Sequence, residues 1–316
     1  MKLRIITFGL SLVLFSGIAF ASCSSDDDNN NINNGNGTSS GSSSGIMPEN
    51  SDSGKNNNSE PDNTVPSTSQ PGDNPGDITP ETWQLIFEDN FEGTDSIPNL
   101  EYWSLAKRGH DTWNRYMSES YGQAYQKGGY LYLFGMESDG EYLTGGIETI
   151  HKFDFTYGQV KCRARFLRQP QGNHTGIWMM PSPPAERWPK SGEIDIMEHL
   201  DEQSKVFETV HFWNSATGED DKSDTSTYID NDDFNVYGII WDNKSVSFTL
   251  NGEVVLTYSN DDPDNGDFSY QFPFTKPFYL ILSQSLGGEG TWEGAIDNDE
   301  LPAIFQIDWI KVWQKE

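Results

Sequence analysis

From residue 81 onward the chain shows no long stretch of helical periodicity. It shows short aromatic or β-branched runs at 83–87, 130–134, 236–241, 245–250, 278–282 and 305–313, separated by Gly, Asn, Asp and Pro. Short strands punctuated by turn residues predict an all-β sandwich or barrel. Asn251-Gly252 between two apolar runs is a hairpin signal, because both residues tolerate the positive φ of a type I′ turn. In the run from Tyr157 to Phe166, Val160, Cys162, Ala164 and Phe166 share one face and Lys161, Arg163 and Arg165 the other, as a period of two requires. Cys162 therefore reads as an inert core thiol.

One segment departs from the rule that charge stays outside. Gly192-Glu193-Ile194-Asp195-Ile196-Met197-Glu198 puts three carboxylates into an Ile- and Met-rich strand, and buried carboxylates need a partner or a task. Alternation places Glu193 and Asp195 on one face, roughly 6.6 Å apart at Cα. Glu198 falls on the opposite face of a regular strand. A bulge near Ile196-Met197 adds one residue and turns Glu198 to the same side. Two glutamates on one face suit retaining glycoside hydrolysis, which needs a nucleophile and an acid about 5–5.5 Å apart. Asp195 between them can share a proton, and like charges push the pKa values apart. The rival readings are a calcium site and a solvated acidic edge. The Ile and Met spacing argues against solvation, and calcium sites recruit loop carbonyls as well.

This segment, preceded by Trp188-Pro189-Lys190-Ser191-Gly192, resembles the signature of glycoside hydrolase family 16 in its bulged, laminarinase-like E-x-D-x-x-E form. Further family-like segments lie at 85–93, 142–147, 174–180, 234–241 and 277–288, so the resemblance covers about 81–316. It implies a jelly-roll β-sandwich of two curved antiparallel sheets with a substrate cleft on the concave face. It also implies Glu193 as nucleophile, Glu198 as acid/base and Asp195 as the residue that tunes both.

Candidate sugar contacts follow from the same alignment of segments. Trp113 and Arg115 lie on an aromatic loop that could line the cleft, or are a core Trp and a surface Arg. Trp188 is assigned beside the scissile bond, with a structural Trp as the alternative. His211 is expected to bond Glu198 or the sugar, or to be structural. Gln284 is expected to face the sugar, and Trp292 to stack on the leaving-group side. His199 should face away from Glu198 by alternation. Asp308 falls where family members often hold a structural calcium on the convex side. No cofactor is expected for catalysis, and no His pair has the i, i+4 spacing of a zinc site.

Ahead of the domain, residues 1–22 form a secretory signal: Lys2 and Arg4, then an apolar run, then small residues. Cleavage after Ala21 would release a soluble enzyme. Phe20-Ala21-Ser22-Cys23 instead resembles a lipobox with Cys23 lipidated, and Asp26-Asp27-Asp28 resembles the export signal of Bacteroides-type surface lipoproteins. The lipoprotein, facing outward on the outer membrane, is the favoured reading. Residues 23–80 are rich in Asn, Ser, Gly, Asp and Pro and read as a flexible tether.

The formal charge is −29, of which about −23 belongs to 81–316. That excess disfavours nucleic acid and heavily sulfated chains. The expected partner is a polysaccharide or glycan, acted on by a monomer. The best reading is an endo-hydrolase of β-1,3 or mixed β-1,3/1,4-glucan. The alternative is an endo-β-1,4-galactosidase on N-acetyllactosamine-containing host O-glycans. A non-catalytic carbohydrate-binding lipoprotein is the alternative of another class, and the paired acids weigh against it.

Overall fold

The computed structural model describes residues 82–316 apart from 95, 215–216, 232 and 262–269. The signal segment, Cys23 and the tether lie outside the described residues.

Sixteen described strands form two antiparallel sheets. The first runs β14 (Glu253–Ser259), β13 (Ser245–Leu250), β12 (Asn235–Trp241), β7 (Gly158–Arg168), β16 (Ala303–Lys315), β4 (Leu131–Ser138), β3 (Ala124–Gln126). There β1 (Trp83–Asp89) also pairs with β16, and β5 (Glu141–Thr144) with β4. The second runs β11 (Glu219–Tyr228), β10 (Lys205–Asn214), β9 (Glu193–Leu200), β8 (Asn173–Pro181), β15 (Phe278–Leu286), β6 (Gly146–Glu148), β2 (Ser104–Leu105). This is the all-β jelly roll that the strand pattern and the resemblance led one to expect. Its described helical content is a single 3₁₀ turn, Asn298–Glu300, capped by the Asp297 side chain.

The core lies between the sheets. Val160, Cys162, Ala164 and Phe166 of β7 point into it, as do Ile177 and Met179 of β8 and Leu280 and Leu282 of β15. Full burial of each large apolar side chain contributes roughly 1.5–3 kcal/mol. Burial also pushes the Cys162 thiol up, which keeps it unreactive. The Asn251-Gly252 turn joins β13 to β14 with φ of 52° and 90°.

The opposite face of β7 is cationic. Arg163 and Arg165 lie over the Phe234 ring, at 4.0 and 4.5 Å from its centroid. Asp308, the expected calcium ligand, is on this face, and its carboxylate pairs with the Arg163 guanidinium. No described His, Cys, Asp or Glu cluster of three or more includes it. A carboxylate already held by a guanidinium has less charge to offer a cation.

Candidate active site

The site is built on β9, whose ladders slip by one residue. Against β8, Ile177 faces Met197 but Trp178 faces Asp195; against β10, Phe207 faces Glu198 but Thr209 faces Asp195. The extra residue puts both Ile196 and Met197 into the core. Glu193, Asp195 and Glu198 then line the same cleft. A regular strand would have turned Glu198 inward.

The cleft has two lobes. One, of about 440 Å³, is lined by Trp113, His174, Trp178, Glu198, Trp292 and Glu293, among others. The other, of about 500 Å³, is lined by Asp111, Met180, Arg187, Tyr279 and Ile281. Trp113, Trp178, Trp188 and Glu193 border both. The Trp113 ring meets Trp178 edge-on at 4.7 Å, and the Trp178 indole N–H donates to Ser283 Oγ at 3.1 Å. Together they give the floor a rigid aromatic face of the kind that packs on a sugar ring.

Each carboxylate has its own surroundings. Glu193 accepts the Trp188 indole N–H at 2.6 Å. Burial pushes Glu193 above the usual carboxylate range; His211 opposes this, Glu198 adds to it, and hydrogen bonds from Trp188 and Asp195 oppose it. Asp195 is 3% exposed. Burial, and then the charges of Glu193 and Glu198, hold its pKa well above the ordinary value. Asp195 is therefore the proton holder, donating to Glu193. Its Oδ2 is buried without a hydrogen-bond partner, 3.6 Å from His211 Nε2. Glu198 Oε1 lies 3.1 Å from His174 Nε2, and its Oε2 accepts from Thr209 Oγ1 at a long 3.4 Å. Glu193, Asp195 and His211 bring ligand atoms within 4.8 Å of one another. Burial and the two neighbouring carboxylates raise the Asp195 pKa, which suits this group to sharing a proton.

Two half-buried glutamates with the buried Asp195 between them thus line one cleft, flanked by aromatic walls. Residues 113–311 match the model for glycosyl hydrolases family 16. The chain belongs to that family. It is 37% identical over 242 residues to the keratan-sulfate endo-1,4-beta-galactosidase of Sphingobacterium multivorum, covering 73% of this chain and 55% of that one. This chain thus spans about half the length of that relative. Among solved structures it is similar to one from work on endo-acting O-glycanases with which prominent human gut microbiota initiate mucin breakdown. That match has a TM-score of 0.65 and 28% identity over 72% of this chain and 98% of the other. It is also similar to the laminarinase of Rhodothermus marinus, with a TM-score of 0.66 and 27% identity over 75% of this chain and all of that one.

The other expected residues divide on this family-16 scaffold. Trp113, Trp188 and Trp292 line the cleft. His211 reaches Asp195 and, at 3.3 Å, Asp220, but not Glu198, because the ladder sets it opposite Glu193. Arg115 is not among the lining residues. Its guanidinium covers Tyr116 at 4.9 Å and packs beneath Gly288, where an added Cβ would come within 3.0 Å of Nη2. Gln284 faces the wrong way for a sugar contact: it is fully buried between the sheets. Its side chain bonds Thr175, Asn173 and the Ser285 carbonyl, while its neighbours Ser283 and Ser285 take the cleft side. His199 does face the core, stacked on Phe166 at 4.0 Å.

Sequence reasoning gave no role to His174 or Glu293, which stand beside Glu198. The available signal was parity, since His174 shares a strand face with Gly176 and Trp178.

Proposed function

We propose that residues 81–316 are a retaining endo-β-glycoside hydrolase of the bulged family-16 type. The observation that carries this is the extra residue in β9, which brings Glu193, Asp195 and Glu198 to one cleft. Glu193 attacks the anomeric carbon, with its carboxylate oriented by Trp188 and by the proton on Asp195. Glu198 protonates the departing oxygen and then activates the water that releases the glycosyl-enzyme. A cleft whose two lobes share Glu193 suits cleavage within a chain.

The first substrate reading is β-1,3 or mixed β-1,3/1,4-glucan, supported by the laminarinase likeness. The second is a β-galactoside within N-acetyllactosamine-type glycans. It is favoured by the higher identity, 37%, to the keratan-sulfate galactosidase and by the O-glycanase likeness. The acidic domain favours the unsulfated stretches of such chains. Laminarin, barley β-glucan, keratan and mucin glycans offered in parallel separate the two by which yields oligosaccharides. No product from any of them sinks the hydrolase reading and leaves the binding-protein alternative.

Export, lipidation of Cys23 and an outer-membrane surface location are supported by the signal segment and lipobox. A mature protein beginning at an unmodified Ser22 would rule out the anchor. A structural calcium at Asp308 competes with Arg163 for one carboxylate, and a melting temperature unchanged by EDTA would remove it.

A further inference from the structure

The three acids of β9 do not account for a second constellation beside them. His174 of β8, its side chain 12% exposed, lies between carboxylates from two other elements. Its Nε2 is 3.1 Å from Glu198 Oε1 and its Nδ1 is 3.6 Å from Glu293 Oε1. Glu293 comes from the loop after β15 and is 5% exposed. Its Oε2 is buried without a hydrogen-bond partner. The loop is fastened locally: the Gly288 N–H donates to Thr291 Oγ1, and the Thr291 hydroxyl donates back to the Gly288 carbonyl. Trp292 sets its ring edge against His174 at 5.4 Å and against Phe207 at 5.6 Å.

The titratable groups facing the ring are Glu198 and Glu293; His199, on the core side of β9, is also felt electrostatically. On β15, the residue paired with His174 is the neutral Ser285. With a carboxylate near each nitrogen, the ring that fits is an imidazolium, which carries two N–H donors. Burial opposes its charge, but Glu198 and Glu293 outweigh burial and push its pKa up to about 9.

We propose that His174 is a positioning residue for Glu198, and that Glu293 holds His174 and neutralises its charge. The inference rests on reading Glu198 as the acid/base. That residue must be a protonated acid in the first step and a base in the second. A donor fixed on Oε1 sets the carboxyl plane and leaves Oε2 to exchange the proton. A lone imidazolium would hold Glu198 ionised and impair the first step. Glu293 cancels that charge while keeping the N–H in place.

The test uses the full chain with His174→Gln, His174→Ala and Glu293→Gln, and Glu198→Gln as the reference for a lost acid. Substrates are the polysaccharide the wild type cleaves and the 2,4-dinitrophenyl β-laminaribioside or β-N-acetyllactosaminide, whose leaving group departs without a proton. On polysaccharide, His174→Ala should lower kcat/KM about 10²-fold, within the range of general acid catalysis. His174→Gln, which keeps an N–H, should lose less. On the dinitrophenyl glycoside kcat/KM should change by less than about threefold, since the acid is not needed there. Equal losses on both substrates would overturn the proposal. Imidazole ¹⁵N NMR supplies a readout independent of turnover. His174 should be doubly protonated at pH 8 in the wild type and should titrate lower in Glu293→Gln. A wild-type ring that titrates as an ordinary histidine overturns the proposal, even if no glycan is cleaved and the hydrolase reading has failed separately.

Discussion

Trp188 donates its indole N–H to Glu193 at 2.6 Å, joining a 43% exposed ring to a half-buried reacting carboxylate. A hydrogen bond to a charged group contributes about 1.5–3 kcal/mol. Trp188→Phe keeps a ring and removes the donor. The expected result is a drop in kcat/KM of about 10–100-fold, with little change in melting temperature because Phe keeps a ring at this partly exposed position. Steady-state kinetics equal to the wild type would mean that Trp188 does not orient Glu193.

The acids themselves give the sharpest contrast. Glu193→Gln and Glu198→Gln should each abolish hydrolysis, and circular dichroism should show the fold retained, since both side chains sit at the cleft. Asp195→Asn should be slower but not dead. An amide still donates to Glu193, but it cannot pass a proton between the acids. Full activity in either glutamate variant overturns the assignment of roles.

The strand pattern and the catalytic strand were legible because alternation is a local property. The run 160–166 shows its two faces in the sequence, and the Asn251-Gly252 pair shows the turn by its tolerance of positive φ. Gln284 shows where this fails. β15 pairs with β8 in unbroken register, Ser283 opposite Gly176 and Gln284 opposite Thr175. Its faces are therefore fixed by a single step of parity. A polar residue looked like a sugar contact, but the interior here holds a polar network of its own. The grouping of His174 and Glu293 was invisible for another reason. They lie far apart in the chain, and only the meeting of β8 with the loop after β15 brings them together.

Gln284 should therefore matter for stability. It accepts the Thr175 hydroxyl at 2.9 Å and donates to Asn173 Oδ1 at 3.0 Å. Gln284→Ala removes both bonds inside the sandwich, leaving Thr175 Oγ1 its longer contacts to Gln169 at 3.1 Å and Asn173 at 3.3 Å, at a cost of about 0.5–1.5 kcal/mol per bond lost. Thermal unfolding should show a fall of several degrees, with KM for the accepted glycan unchanged. A raised KM at unchanged melting temperature would return Gln284 to the cleft.

A buried carboxylate away from the cleft ties stability to pH. Glu208, between Val206 and Val210 on β10, is 2% exposed, and Thr227 Oγ1 donates to it at 3.3 Å. Burial pushes its pKa up to about 7, with Thr227 opposing. Between the ordinary glutamate value and pH 7 the folded state keeps a proton that the unfolded chain has lost. Stability from this group is therefore greatest in acid and falls as pH rises through about 7. Glu208→Gln keeps the hydrogen bond and removes the titration. Urea unfolding should show the variant more stable than the wild type at pH 8, by on the order of 1–3 kcal/mol, with the gap closing towards pH 5. A variant less stable by the same amount at both pH values would mean that the Glu208 carboxyl contributes through packing and its hydrogen bond, and that its burial carries no charge penalty.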